Sequence, residues 1–185
     1  MNSKAVDIIP PKDIWVGNEN ANLVMLQFGD YEDEACMRAN EIVVQLLEEF
    51  GSEIKFIFRH FPLTKIHQRA QKAAEASVAA AQEGKFWEMH NLLFANRKNL
   101  GTISLKEYAK EAGVENKKFL NELMDSMYGW TVRNDLLEGL EMGIREVPVF
   151  FFNNERYNGK ISYENMKKTI QEKLKESKSA KKKRA

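Results

Sequence analysis

The chain has 185 residues, of which 43% are hydrophobic and 30% charged, a balance that suits one globular domain and excludes global disorder. No apolar stretch approaches the ~20 residues that a membrane-spanning helix needs, so no integral membrane segment is predicted. The net charge is +1, but residues 171–185 carry +5 and leave −4 for the rest of the chain.

The first twenty residues are polar and contain Pro10 and Pro11, so we predict an irregular lead-in over 1–20. The N-terminal sequence has a lysine and then an acid, without the apolar segment of a secretory signal. We therefore expect a cytoplasmic protein, or a periplasmic or exported one if a leader was removed.

The next forty residues have the pattern of a strand, a helix and a second strand. The apolar run 23–28 predicts a buried central strand, and 53–60 alternates as a second strand does. Between them, apolar residues recur at helical spacing, with Asp33 as an N-cap and Gly51 as a stop. This βαβ unit implies a parallel strand pair with a right-handed crossover.

Residues 65–142 are helical in pattern throughout and predict a helical insertion. Its predicted helices are an Ala-rich one over 70–81, an aromatic-rich one over 86–93, one that starts at the capping box of Ser104 and ends at Gly113, and two over 117–127 and 131–142.

After the insertion, the pattern returns to strands and ends with a helix. The run 147–152 predicts a strand, Asn153 and Asn154 a tight turn, and 155–161 a second strand. Ser162 is a candidate cap for a final helix through Leu174. The domain is thus predicted over 21–175, and 176–185 as a basic disordered tail for which an anionic partner is a minor alternative.

This order of elements resembles the DsbA-type family of thioredoxin-like proteins. Phe28-Gly-Asp-Tyr31 leading to Cys36 is similar to the family's strand end and active-site turn. The stretches 61–90 and 143–152 resemble its first inserted helices and its cis-proline segment. The resemblance implies an α/β thioredoxin-like fold, with a helical subdomain between a β-α-β and a β-β-α half.

The chain departs from the family at the Cys-x-x-Cys motif, which reads Asp33-Glu-Ala-Cys36 here. In the family the first cysteine attacks a disulfide and the second resolves the mixed disulfide. A carboxylate cannot replace that thiolate, because oxygen does not exchange with disulfide sulfur under these conditions. Asp33 thus occupies the position of the family's nucleophile without being one, while it can still cap the helix.

Cys36, the one cysteine of the chain, has two interpretations. It is a small buried core residue, or it is a catalytic monothiol that reacts with glutathione or a partner cysteine. Nearby carboxylates oppose thiolate formation and the helix terminus favours it, so the sequence leaves both open.

The segment around Pro148 carries the second implication of the resemblance. In the family this proline is cis, lies against the active-site turn, and has a strand edge that pairs with an extended peptide. The resemblance therefore implies a peptide-binding site at Val147, Pro148 and Tyr31, with Val147 where the family often has a small polar residue. Such binding does not need redox chemistry.

Other chemistry is weakly supported by the sequence. The acids at positions 30, 32, 33 and 34 suit a helix N-terminus better than a metal site. The three histidines lack zinc-site spacing, so neither a metal nor another cofactor is predicted. We predict a DsbA-like protein without dithiol chemistry that binds peptides or proteins; the alternative is a monothiol oxidoreductase or redox sensor using Cys36.

Overall fold

The computed structural model describes residues 8–182, which contain five strands and seven α-helices. The strands are β1 (Trp15–Gly17), β2 (Leu23–Gly29), β3 (Ile54–His60), β4 (Val149–Phe152) and β5 (Glu155–Arg156). The helices are α1 (Glu34–Phe50), α2 (Ala70–Ala81), α3 (Phe86–Ala95), α4 (Thr102–Glu111), α5 (Phe119–Met124), α6 (Gly129–Glu141) and α7 (Tyr163–Lys182). None of these helices has the length and apolar content to cross a membrane.

The strands form one mixed sheet in the order β1-β3-β2-β4-β5. β2 and β3 are parallel, as the predicted βαβ unit requires, and β4 is antiparallel to β2. The helices α2 to α6 lie between β3 and β4 in the chain. The α/β thioredoxin-like fold with an inserted helical subdomain is therefore confirmed.

The sheet has a buried core on each face. One face packs Met25, Phe56 and Phe58 with α1, α7 and the first inserted helices. The other face packs Phe28 against a smaller cluster beneath α6. The close approach of α6 requires Gly139, because a Cβ there would meet the Phe61 ring at 2.8 Å.

Most predicted elements occur, with local corrections near the termini. The lead-in is not wholly irregular, because β1 pairs with the edge of β3 and the Trp87 indole donates to the Trp15 carbonyl. The predicted disordered tail is wrong up to Lys182, because α7 continues there and Lys178 pairs with Glu53 at 3.0 Å. Residues 1–7 and 183–185 lie outside the described residues.

Two other boundaries differ from the prediction. Helix α4 begins at Thr102, with Gly101 in the N-cap position, so Ser104 lies inside the helix and does not cap it. The Ser104 hydroxyl donates to Asn99 Oδ1 instead. The strand expected over 155–161 ends at Arg156. The turn before it is as predicted, since Asn153 and Asn154 both have positive φ.

Candidate functional site

The turn between β2 and α1 carries the position of the missing thiol. Asp33 has extended backbone angles and its Oδ1 accepts from the Cys36 backbone N–H at 2.7 Å, as an N-cap does. The predicted cap is confirmed. The helix N-terminus, which would stabilise a thiolate, holds a carboxylate instead.

Cys36 lies one turn into α1 and is fully buried. Its Sγ lies 3.5 Å from the backbone N–H of Asp30, which donates to it. Burial raises the pKa of the Cys36 thiol well above its ordinary value; the Asp30 N–H opposes that rise, and the charges of Asp33 and Asp30 add to it. At neutral pH the thiol is therefore neutral and out of contact with solvent.

Tyr31 does not line a peptide site, which corrects the prediction made from the resemblance. The side chain is buried, with its ring 5.4 Å from that of Phe58 and 4.8 Å from that of Phe94. Its hydroxyl lies 3.0 Å from His90 Nδ1. Burial raises the pKa of Tyr31 above its ordinary value. The turn directs this ring into the core because both the apolar ring and the hydroxyl are satisfied there.

His90 anchors the other side of that contact. Its Nε2 lies 2.9 Å from Asn40 Oδ1, an acceptor, so Nε2 carries the proton and Nδ1 accepts from Tyr31. Burial, with a smaller contribution from the nearby His60, lowers the pKa of His90 to about 3. The imidazole is therefore neutral across the physiological range.

We expect His90 to make stability depend on pH. Its folded pKa of about 3 lies below the ordinary 6.5, so its contribution is present above about pH 6.5 and is lost as the pH falls towards 3. The free energy of unfolding should fall by up to ~1.4 kcal/mol per pH unit from this group. Denaturant unfolding from pH 7 to 4 measures it, and His90→Gln should lack this part of the slope; equal slopes would contradict the assignment.

A second buried network, which the sequence did not reveal, joins β3 to α2 and α6. His60 Nδ1 lies 3.1 Å from Asp135 Oδ2, and His60 Nε2 lies 2.8 Å from Ser77 Oγ. The Arg59 guanidinium lies 2.6 Å from Asp135 Oδ1. Ser77, His60 and Asp135 contact one another in the sequence serine–histidine–aspartate, as the members of a hydrolytic triad do. All three are buried, however, and the Ser77 hydroxyl donates to the Ala74 carbonyl. We interpret the network as structural.

Asp30 fastens the turn to the loop that follows β3. Its carboxylate is buried and accepts from the backbone N–H groups of Glu32 and Leu63, at 2.7 and 2.8 Å. The same carboxylate lies 2.9 Å from His67 Nδ1. The sequence pattern groups Asp30 with the other acids of this segment, whereas in the structure its carboxylate fixes the position of Leu63 and His67 in the loop after β3.

The other acids of this segment have separate partners. Glu32 accepts from the backbone N–H of Arg69, and Glu34 pairs with Arg38 and Arg97. Within residues 8–182, no group of three or more His, Cys, Asp or Glu side chains is arranged to hold a metal ion.

Pro148 follows a cis peptide bond with Val147, as the resemblance implied. The register pairs Phe28 with Val149, so Pro148 comes next to Gly29, where the turn to α1 begins. The outer edge of β4 is covered by β5 at residues 151 and 152, and the Phe150 carbonyl accepts from Tyr157. In the described part of the chain, residues 147–149 have no strand partner on that edge.

Cavities flank this edge on both sides. A cleft of about 240 Å³ runs along Pro148, Val149 and Tyr157. On the other side, an apolar groove of about 450 Å³ lies between the β3–α2 loop, the end of α6 and Val147. Its lining includes Phe61, Leu63, Ile66, Leu136 and Leu140. We call this second cavity the Val147 groove.

Comparisons with known proteins agree on the fold. A family model described as "Thioredoxin" matches residues 10–172. The oxidised form of BdbD from Bacillus subtilis has a TM-score of 0.80 at 23% sequence identity, over 90% of this chain and 93% of that chain. The thiol-disulfide exchange protein alpha-DsbA2 from Wolbachia pipientis has a TM-score of 0.75 at 21% identity, over 85% of each chain.

The curated relatives have a different kind of name. The chain is 33% identical over 159 residues to "Na(+)/H(+) antiporter NhaA 3" from Salinispora tropica, which is 86% of this chain and 24% of that protein. It is 34% identical over 160 residues to "Na(+)/H(+) antiporter NhaA 1" from Salinispora arenicola, with the same shares. This chain thus spans about a quarter of the length of these relatives.

Proposed function

Because this chain belongs to the thioredoxin family and has the fold of DsbA-type proteins, we propose that it binds extended polypeptides beside Pro148 without dithiol–disulfide chemistry. The observation that carries the proposal is the open edge of β4 at residues 147–149, flanked by the apolar Val147 groove. This edge lies next to a turn whose first thiol position holds Asp33.

The loss of dithiol chemistry follows from the two ends of the motif. Exchange starts when an exposed thiolate attacks a disulfide sulfur, and Asp33 has no sulfur. Cys36 is buried, and its raised pKa keeps the thiol protonated. Neither position therefore supplies the attacking group.

Recognition of a polypeptide has two components at this edge. Pro148 has no N–H, and the register directs the Val149 backbone towards β2. The Val147 backbone and the Pro148 carbonyl are therefore the groups that suit the addition of one extended strand, which gives affinity without selecting a sequence. The Val147 groove suits one apolar side chain of that peptide, and its charged lining residues are Lys65, Arg145 and Glu146. An apolar residue in an extended segment is therefore the peptide chemistry that this site favours.

The competing function is a monothiol oxidoreductase using Cys36. Its thiolate would attack oxidised glutathione, release one glutathione thiolate and keep the other half as a mixed disulfide, which an outside thiol must then reduce. The full burial of Cys36 weighs against this route. Glutathione, an anionic partner for the tail, and a cytoplasmic location remain predictions.

The peptide site is tested with a reduced and carboxymethylated model protein, which offers extended chain but no thiol. We expect Ile66→Glu to weaken its binding about tenfold, since a charge then replaces an apolar side chain in the Val147 groove. Ile66 is 70% exposed, so the fold should tolerate the change. Titration calorimetry measures the affinity.

The matched control is Ile103→Glu on α4, where the isoleucine is 78% exposed and outside the groove. This variant should bind like the wild type. The proposal fails if the wild type does not bind the probe, or if both variants lose affinity equally.

A further inference from the structure

Helix α6 presents an apolar face to solvent as well as one to the core. Val132, Asp135 and Gly139 are buried against the domain. On the opposite side Trp130 is 66% exposed and Leu137 is 40% exposed. Large apolar side chains that are exposed together on a folded domain are typical of an interaction surface. A cavity of about 630 Å³ runs along this face and meets the Val147 groove at Leu136 and Leu140.

Two opposite charges frame the centre of this face. Arg133 lies four residues before Leu137, and Glu141 lies four residues after it. Residues four apart share one side of a helix, so all three belong to the exposed face, and both charged residues are exposed. Across residues 8–182 neither of them forms an ion pair. Arg133 lies over the Trp130 ring, at 5.9 Å from its centroid.

The positions of these two charges suit a second copy of the same helix as the binding partner of this face. If a second copy packs its α6 antiparallel about a twofold axis at Leu137, each Arg133 comes opposite Glu141 of the partner subunit. Both ion pairs then form at once, as in any isologous contact. A parallel arrangement would place like charges opposite each other. We propose that α6 forms a symmetric, antiparallel dimer contact between two copies of this chain, centred on Leu137.

This contact adjoins the proposed peptide site, because the cavity along α6 and the Val147 groove share Thr64, Leu136 and Leu140. Arg133, Leu137 and Glu141 do not line the Val147 groove, so substitutions there leave that groove unchanged. A failure of the dimer and a failure of peptide binding are therefore distinguishable.

Sedimentation velocity up to about 100 μM protein tests the dimer, a range that detects micromolar self-association. We expect the wild type to dimerise, and Arg133→Glu and Glu141→Arg each to weaken dimerisation about tenfold or more through like-charge repulsion. An equimolar mixture of the two variants should dimerise again, because each acid then faces a base in both pairs. Leu137→Glu should give a monomer, and Ile103→Glu should behave as the wild type.

A wild type that stays monomeric over this range would overturn the proposal and leave the face to another protein. A mixture of the two charge variants that stays monomeric would overturn the antiparallel register. Circular dichroism of each variant confirms that the change acts on association rather than on folding.

Discussion

Replacing Asp135 by asparagine is expected to lower the free energy of unfolding by about 3–5 kcal/mol. The Asp135 carboxylate is buried and meets the Arg59 guanidinium at 2.6 Å, the His60 backbone N–H at 3.0 Å and His60 Nδ1 at 3.1 Å. The amide keeps the size but loses the charge, and its NH₂ group faces one of these donors. Arg59, whose side chain is 8% exposed, then keeps only the half-exposed Glu138, at 2.9 Å, as a counter-charge.

Urea unfolding measures this loss. Asp125→Asn is the matched control, because Asp125 is exposed and in no ion pair across residues 8–182; it should change stability by less than about 0.5 kcal/mol. A loss in Asp135→Asn as small as in this control would show that the network does not hold α6 to β3.

Replacing Asp33 by cysteine is expected to raise the rate of thiol–disulfide exchange about tenfold or more above that of the wild type. The new thiol lies at the N-terminus of α1, where the helix stabilises a thiolate. The new thiolate at position 33 attacks a substrate disulfide, forms a mixed disulfide and releases one substrate thiolate. Cys36 then attacks the mixed disulfide, which closes the bond to position 33 and releases the second thiolate. The substitution also removes the Asp33 charge, one of the causes that raise the pKa of Cys36.

Exchange with a model disulfide in a glutathione buffer measures this gain. Glu34→Cys is the control, since it also adds a thiol to the turn but not at the motif spacing, and it should stay near the wild-type rate. In the double variant Asp33→Cys with Cys36→Ser, the mixed disulfide should accumulate. An inactive Asp33→Cys variant would show that restoring the first cysteine is not sufficient, and that other features needed for exchange are also absent from the turn.

The sequence predicts this fold well because its signals are local. The alternation of β3, the Asp33 cap and the Asn153–Asn154 turn each depend on neighbouring residues, and each occurs. The cis bond at Pro148 came from the resemblance and is also present.

The candidate site was harder to predict, because its contacts join distant parts of the chain. Tyr31 meets His90, 59 residues away, and Asp135 meets His60, 75 residues away. No spacing rule links such pairs, so the sequence alone indicates neither the buried position of Tyr31 nor the role of Asp135. Trp130 and Leu137 are visible in the sequence as apolar residues of a predicted helix. Their exposure could not be predicted, because it depends on which face of α6 packs against the rest of the domain.

The central claim is that this chain keeps the binding scaffold of its family without the redox chemistry. The most direct test is catalysed thiol–disulfide exchange by the wild type in a glutathione buffer, measured beside Cys36→Ser. The buried, protonated Cys36 predicts the same uncatalysed rate for both proteins. Wild-type activity that disappears in Cys36→Ser would contradict the claim and establish a monothiol enzyme.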